Sequence, residues 1–352
     1  MTKTELITRQ QFLRSSSRLI IGATALSSFG GLGGCTLFSG GAEQATVASD
    51  TLPAIVTSRI KMVTIGATDL AKTEDWYGNW LDYLVVERGN IGDGLARAWG
   101  TPSMAGRPYI LMQPASGADV FIRAALIDEV PGYKAMTTTG WNAFEIVVED
   151  AYALNKKLES SPFEIVGSVQ SIGGNSPSVH AMQMIGPSQE VLYLTMETGD
   201  MATSPLPSAG SFVDRVFIVI LAGPDAIAIN DFYMVKLGMM SAGGADFKIP
   251  IIARAQGLPE NYQFELSLVA AAEPSNLIEI DKYSDLIGPR PRADGQLPPG
   301  NAMVSFSVSD LSPIDVDWIS APLSDSSVAY NGSLSAAVTG PAGEITELIE
   351  EQ

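Results

Sequence analysis

Histidine and cysteine, which most often supply the base, the thiolate nucleophile or the metal ligand of an enzyme, are nearly absent from this 352-residue chain. The chain has one histidine, His180, and one cysteine, Cys35. A serine hydrolase would need His180 to be paired with a serine and an acid, and nothing in the spacing supports that arrangement. The sequence has neither a G-x-S-x-G elbow nor a G-x-x-x-x-G-K-[ST] phosphate loop. These observations argue against nucleophilic catalysis and against a phosphate loop.

Cys35 ends an N-terminal stretch that has the features of an export signal. Residues 1–18 carry four basic side chains and one acid, and residues 19–34 carry no charge. A basic head and a short apolar run predict a secretory signal, because a membrane span needs about 20 apolar residues. The sequence Leu32-Gly33-Gly34-Cys35 resembles the lipobox of bacterial lipoproteins. That resemblance implies acylation of Cys35 and removal of residues 1–34.

The alternative is a free or buried cysteine in a short N-terminal helix. The segment TRQQFLR (8–14) also resembles a twin-arginine signal, but Gln10 stands where the second arginine belongs, so the export route stays open. Residues 35–57 are predicted to form a tether. Thr36 and Leu37 lack the aspartate that in some bacteria retains lipoproteins in the inner membrane. We therefore expect an anchor that faces the periplasm, with the outer membrane favoured.

The charge of the chain limits its partners. Removing residues 1–34 takes away four bases and one acid, which changes the net charge from −18 to −21. Such a surface repels nucleic acid, so nucleic-acid binding is set aside, and the charge is interpreted as aiding solubility. With 46% hydrophobic and 17% charged residues, the chain is too apolar to be disordered. Its length suffices for two domains.

The two halves of the exported chain begin and end alike. Each begins with an apolar strand, an acidic loop and a helix that ends in an aromatic-tyrosine pair: Trp76-Tyr77-x-x-x-Leu81 and Phe232-Tyr233-x-x-x-Leu237. Each ends with a Gly-Pro turn, a glutamate three residues after the proline, and an alternating strand: 184–197 and 338–351. A second strand-then-helix start lies inside each half, at 142–158 and 302–319. A strand–helix–strands unit therefore occurs four times.

This order of motifs resembles the vicinal oxygen chelate superfamily, which includes glyoxalase I, bleomycin-resistance proteins and extradiol dioxygenases. The resemblance covers residues 58–350. It implies an α+β fold of two tandem domains, each made of two paired βαβββ modules whose curved mixed sheets enclose a cleft. We expect the first domain at 58–198, a linker at 199–211 and the second domain at 212–352. One fold hosts many functions, so the chemistry follows less directly.

In the metal enzymes of that family, the first and last strands of paired modules supply His or Glu ligands. The corresponding places in the first half are Met62, Arg123, Trp141 and Tyr193, which do not form a ligand set for a hard cation. In the second half they are Arg215, Glu279, Met303 and Glu347. His180 lies in a middle strand and is expected to be structural or to line a cleft. The resemblance therefore implies no cofactor, although a weak divalent-metal site in the second half stays open.

Glu279 and Glu347 permit two interpretations. They are ordinary strand residues that pair with Arg215 or face water, or they are a carboxylate pair that transfers protons in a cleft. In the second case Arg215 would bind an anionic group of the substrate.

The first-half cleft is also open to two interpretations. If Met62, Trp141 and Tyr193 line it with Arg123 as the one cation, the lining suits a flat, mostly apolar molecule with an acid or carbonyl group. Nearby strands would add Met112, Met182 and Met184. Alternatively, these side chains fill a closed core.

Three functional hypotheses follow. The first is a metal-independent envelope protein that binds a small apolar or aromatic compound, either sequestering it or passing it to a transporter. The second is a lyase, isomerase or ring-cleaving dioxygenase that uses Glu279 and Glu347. The third is a scaffold subunit that has protein partners and filled clefts.

Overall fold

The computed structural model describes residues 56–171, 178–204 and 206–351. The signal at residues 1–34, the lipidation site Cys35 and nearly all of the tether lie outside this range and stay predictions. No helix within the described residues is both long and apolar enough to span a bilayer.

Four modules follow one another along the chain. Module 1 contains β1 (Thr57–Ala67), α1 (Leu70–Leu81), β2 (Leu84–Asn90), α2 (Asp93–Ala98), a 3-10 turn (Pro102–Met104), β3 (Pro108–Gln113) and β4 (Phe121–Leu126). Module 2 contains β5 (Gly140–Val148), α3 (Ala151–Leu158), β6 (Glu164–Ser171), β7 (Val179–Ile185), β8 (Val191–Glu197) and a 3-10 turn (Met201–Thr203). Module 3 contains β9 (Val213–Gly223), α4 (Ala226–Asp231), a π-helical turn (Phe232–Lys236), β10 (Met240–Lys248), α5 (Pro250–Ala255), β11 (Gln263–Ala270) and β12 (Leu277–Lys282). Module 4 contains β13 (Gly300–Val308), β14 (Leu323–Ser324), β15 (Leu334–Thr339) and β16 (Ile345–Glu350).

An aspartate begins the first helix in modules 1 to 3. In modules 1 and 3, Asp69 and Asp225 accept hydrogen bonds from the backbone N–H three residues later, as N-cap side chains do. The predicted helix in module 4 is wrong, because turns follow β13 there. The residue three positions after Asp310 is Pro313, which has no N–H to donate to a cap.

The strands form two curled eight-stranded sheets. Sheet A has the order β14-β15-β16-β13-β1-β4-β3-β2, and sheet B has the order β10-β11-β12-β9-β5-β8-β7-β6. The first strands meet antiparallel at the centre of each sheet, β1 with β13 and β5 with β9. The first strands are buried along nearly their whole length, whereas the edge strand β2 alternates between exposed and half-buried residues.

The predicted α+β fold of paired βαβββ modules in curved mixed sheets is confirmed. The partners differ from those expected, however. Sheet A joins module 1 to module 4, and sheet B joins module 2 to module 3. Each sheet therefore takes one module from each half of the chain, and neither 58–198 nor 212–352 forms a sheet of its own.

Tyrosine–glutamate hydrogen bonds connect the modules that the sheets leave apart. The Tyr77 hydroxyl of module 1 donates to Glu190 Oε1 of module 2 at 3.1 Å. The Tyr233 hydroxyl of module 3 donates to Glu344 Oε1 of module 4 at 2.9 Å. The two tyrosines and the two glutamates belong to the repeated motifs of the sequence. In each Gly-Pro turn the glutamate packs so closely that a Cβ on the glycine would lie 2.0 Å from its carboxylate oxygen.

The apolar side chains form three cores. One is shared by both sheets and the first helices, and it includes Tyr77, Phe144, Tyr233 and Phe306. The other two cover the opposite face of each sheet, which we call the inner face. The sequence analysis left Met112, Met182 and Met184 either lining a cleft or filling a core, and all three are buried in the shared core.

Candidate functional site

Sheet A closes its inner face around a buried ion pair. Arg123 on β4 places Nη2 3.8 Å from Glu347 Oε2 on β16, and the two side chains are only 3% and 1% exposed. The guanidinium also donates to Thr64 Oγ1 at 2.9 Å and to the Tyr330 hydroxyl at 2.9 Å. Burial lowers the pKa of Arg123, but the nearby Tyr330 and Glu347 raise it, and the net shift is upward.

Glu347 receives hydrogen bonds on both carboxylate oxygens. Trp99 Nε1 donates to Oε1 at 2.8 Å, and Ser305 Oγ donates to Oε2 at 2.6 Å. The Trp99 ring also lies 4.4 Å from the guanidinium carbon of Arg123. A buried ion pair is stable only when its remaining donors and acceptors are satisfied in this way. The indole and the ion pair therefore fill the place where a ligand would bind in sheet A.

Sheet B leaves the corresponding space open. Its inner face bounds a cavity of about 630 Å³. Gln183, Tyr193 and Glu279 line the cavity and are at most 5% exposed. The other walls come from Val166–Ser171 of β6, from the end of β10 through α5 (Phe247–Ile251 and Arg254), and from Glu260 and Leu266. The lining is mixed rather than mostly apolar.

The difference between the sheets follows from the different side chains that they carry at equivalent positions. Arg123 pairs with Thr64, five residues before the cap Asp69, and Glu279 pairs with Ile220, five residues before the cap Asp225. Glu279 therefore occupies in sheet B the place that Arg123 occupies in sheet A. In the same way Tyr193 and Glu347 each follow the turn glutamate by three residues, so a phenol replaces the carboxylate.

A second difference at equivalent positions leaves the inner face of sheet B without the indole that sheet A has. The segment ARAWGTP (96–102) in module 1 matches ARAQGLP (253–259) in module 3, and Gln256 stands at the place of Trp99. The Gln256 side chain donates to the backbone oxygen of Met136 at 3.0 Å. Because no large ring enters from α5, the space beside Tyr193 and Glu279 stays open.

Two further carboxylates share this face and were missed by the sequence analysis. Glu145 on β5 and Asp281 on β12 are each 1% exposed, and both alternate with residues of the shared core. Thr195 Oγ1 donates to Glu145 Oε1 at 2.5 Å. The equivalent positions in sheet A are Ser305 and Ala125. An acidic residue that alternates with buried apolar residues along a strand was the signal that could have identified them.

The structure separates several residues that the sequence analysis grouped. Met62 and Arg123 belong to sheet A, whereas Tyr193 belongs to sheet B, so they do not line one cleft. Trp141 packs in the shared core and donates from Nε1 to the Ile345 oxygen at 2.9 Å. Glu279 and Glu347 also lie on different sheets, so the hypothesis of a shared carboxylate pair is wrong.

The remaining candidates lie outside the cavity. The place equivalent to Met62 in module 3 is Ile218, and Arg215 instead pairs with Asp214 at 2.8 Å near the start of β9. His180 is half-buried on β7, and its Nδ1 lies 3.0 Å from the hydroxyl of Tyr152. It is not among the residues that line the cavity.

A metal of the kind that the family's enzymes bind does not fit sheet A. Four strand positions in sheet A correspond to the metal ligands of those enzymes. Arg123 occupies one of them with a positive charge, and Met62 and Met303 occupy two others. Across residues 56–171, 178–204 and 206–351, no group of three or more His, Cys, Asp or Glu side chains is arranged to bind a metal ion.

Comparisons with known proteins identify the fold. Glyoxalase I from Zea mays superposes with a TM-score of 0.55 at 15% sequence identity, covering 83% of this chain and 92% of that one. A Bacillus subtilis protein provisionally assigned as a dioxygenase superposes with a TM-score of 0.56 at 11% identity, covering 84% and 86%. No protein-family model and no curated protein matches the sequence. The chain therefore has the fold of the glyoxalase and dioxygenase proteins, and the site must indicate its function.

Proposed function

We propose that this chain is a metal-independent member of the vicinal oxygen chelate superfamily that binds a small molecule in the cavity of sheet B. The observation that carries the proposal is the contrast between two equivalent inner faces. The centre of one is filled by Trp99 and the Arg123–Glu347 pair, and the pocket of about 700 Å³ on that sheet lies beside Arg59, Lys61 and Asp119, whereas the other has a cavity of about 630 Å³ at the equivalent central place. A cavity of this size suits a small organic ligand.

The lining suggests the chemistry of the ligand. Glu279 and Tyr193 replace the arginine and the glutamate of sheet A, so this part of the cavity has acidic and phenolic groups. The cations of the lining are Lys248 and Arg254, and Arg254 pairs with Glu260 at 3.2 Å. An apolar body would contact Val169, Phe247 and Ile251. A hydrogen-bond donor or amine on the ligand would face Glu279. We therefore propose an apolar or aromatic compound with an amine group, instead of the acid or carbonyl group expected when Arg123 was the anchor.

The site of action follows from the N-terminal sequence. The lipobox-like residues before Cys35 and the basic head support an acyl anchor with the folded part in the periplasm, with the outer membrane favoured. The protein would then capture its ligand at the cell envelope, to sequester it or to pass it to a transporter.

Calorimetric titration with 1-naphthylmethylamine tests the proposal. We expect saturable binding with one site per chain. The variant Gln256→Trp restores the ARAWG sequence of module 1 and fills the cavity with an indole, so it should weaken binding at least tenfold. Asn79→Trp, on the exposed face of α1, is the matched control and should bind like the unaltered protein. Undiminished binding by a folded Gln256→Trp variant would refute the cavity as the site.

A further inference from the structure

A separate, smaller cavity lies where modules 2 and 4 meet. Its volume is about 280 Å³. Its walls come from the start of β5, from the Gly-Pro turn of module 4 and from the chain that connects modules 3 and 4: Thr139–Trp141, Thr339, Ala342–Ile345, Pro289, Arg290, Arg292, Pro298, Asn301 and Ala302. None of these residues lines the cavity of sheet B.

Arg290 brings a positive charge to this cavity. Its Nη1 donates to the Asn301 oxygen at 2.5 Å, and its Nη2 donates to the Trp141 oxygen at 2.5 Å. Nε donates to Thr138 Oγ1 at 3.2 Å, and the guanidinium lies 5.3 Å from the ring centre of Tyr133. All of these partners are neutral. Among the described residues no carboxylate lies within ion-pair distance of Arg290.

Arg292 adds a second cation two residues further on. It is exposed, lines the same cavity and makes no ion pair within the described part of the chain. Two arginines without acidic partners at one cavity are notable in a chain of net charge −18, where acids outnumber bases 39 to 21. The fork of N–H groups on a guanidinium matches the oxygens of a phosphate or carboxylate.

Asn301 contributes a buried amide to the wall of the cavity. The residue is 2% exposed, and its Oδ1 has no hydrogen-bond partner among the described residues. Its Nδ2 donates to the Val191 oxygen at 3.4 Å, which is long for such a bond. The amide therefore adds no negative charge beside the two arginines.

The acid in the lining does not neutralise the arginines. Glu344 uses Oε1 to accept from the Tyr233 hydroxyl at 2.9 Å and Oε2 to accept from the Ala342 N–H at 2.8 Å. Both carboxylate oxygens are therefore engaged by other partners.

We propose that this cavity binds a small oxyanion of the phosphate or phosphate-monoester class. Arg292 binds its charged oxygens, and Arg290, whose three nitrogens already donate to Thr138, Trp141, Pro299 and Asn301, supplies a second positive charge beside them. The site is independent of the cavity in sheet B, so either proposal can fail alone.

Calorimetric titration of the exported protein with inorganic phosphate at pH 7 tests this site. We expect saturable binding with one site per chain. Glycerol 3-phosphate should bind if the site accepts a monoester, and its failure to bind would restrict the class to inorganic phosphate. Absence of saturable phosphate binding overturns the proposal.

Variants locate the site. Arg292→Ala should weaken phosphate binding at least tenfold, and Arg292→Glu should abolish it. Because Arg292 is exposed and makes no described ion pair, both variants should fold. Arg97→Ala, an exposed arginine on α2, is the matched control and should leave phosphate affinity unchanged. Equal phosphate affinity in Arg292→Glu and in the unaltered protein would place the anion elsewhere and refute the proposal.

Discussion

The guanidinium of Arg123 and the carboxylate of Glu347 lie 3.8 Å apart in the interior of sheet A, although they come from the first and the last module of the chain. This pair fills the centre of one inner face of the protein. In sheet B the same two places are taken by Glu279 and Tyr193, which cannot form an ion pair, and a cavity remains. Two equivalent faces of one duplicated fold have thus diverged, one to a packed core and the other to a candidate binding site.

Removing one member of the pair should be costly. Arg123→Ala leaves Glu347 buried without its cation, so we expect a loss of about 3–5 kcal/mol in the free energy of unfolding. Urea titration followed by circular dichroism measures it. Arg88→Ala breaks the exposed pair with Glu74 and should change the stability little. A small effect of Arg123→Ala, similar to that of the control, would contradict the structural role of the pair.

Replacing both charges should restore stability. In Arg123→Met with Glu347→Leu, no uncompensated charge remains in the interior, so most of the loss caused by Arg123→Ala should be recovered. The same urea titration measures the recovery. If the double variant is no more stable than Arg123→Ala, hydrogen bonds from Trp99, Ser305 and Tyr330 account for the stability instead of charge pairing.

The turn glutamates should make stability depend on pH. Burial raises the pKa of Glu190 and of Glu344 from 4.5 to about 7, although hydrogen bonds from Tyr77, Tyr233 and backbone N–H groups lower it in part. The folded state therefore holds protons that the unfolded chain has lost between pH 4.5 and 7. Stability should fall as pH rises through this window, by on the order of 3 kcal/mol per group.

Denaturant midpoints at pH 5, 6, 7 and 8 check this expectation. Glu190→Gln with Glu344→Gln keeps a hydrogen-bonding side chain at both turns without a titrating group, so the pH dependence should flatten. Glu159→Gln, at an exposed position after α3, should leave the profile unchanged. A double variant that keeps the full slope between pH 5 and 7 would assign the effect to other groups.

Glu279 should select the charge of the ligand. Replacing the carboxylate by an amide in Glu279→Gln removes the partner of an ammonium group, so affinity for 1-naphthylmethylamine should fall about tenfold, or about 1.4 kcal/mol. Affinity for the neutral 1-naphthalenemethanol should change little. Calorimetry measures both compounds. An equal loss for the two probes would mean that the variant has altered the shape of the cavity rather than its charge.

Cys35 should determine where the protein resides. If its sulfur carries the acyl anchor, Cys35→Ser should move the protein from the membrane fraction to the soluble periplasmic fraction. Mass spectrometry of the unaltered mature N-terminus should show a lipid-modified Cys35 and no residues 1–34. Ser39→Ala, four residues beyond the lipidation site, is the control and should stay in the membrane fraction. An unmodified cysteine in a membrane-bound protein would contradict the lipobox interpretation.

Much of the fold was predictable because its signals are local. The strand–helix starts capped by Asp69 and Asp225, the aromatic-tyrosine pairs and the Gly-Pro-x-x-Glu turns are short-range patterns, and they correctly indicated four modules. The absence of a helix after β13 in module 4 also has a local signal, because Pro313 at the third position after Asp310 is visible in the sequence. The positions of Met62, Arg123 and Glu279 came from the family resemblance, and the structure places all three on inner faces.

The sequence by itself determined the four modules, the charge of the chain and the near absence of histidine and cysteine. Which modules share a sheet was decided only in the tertiary structure. The first strands β1, β5, β9 and β13 are all apolar and buried, so each could satisfy its backbone hydrogen bonds against any of the others. The pairing of β1 with β13 brings Arg123 to Glu347, and the pairing of β5 with β9 brings Tyr193 to Glu279. Side-chain chemistry is local, but the partners of each side chain depend on contacts between distant segments.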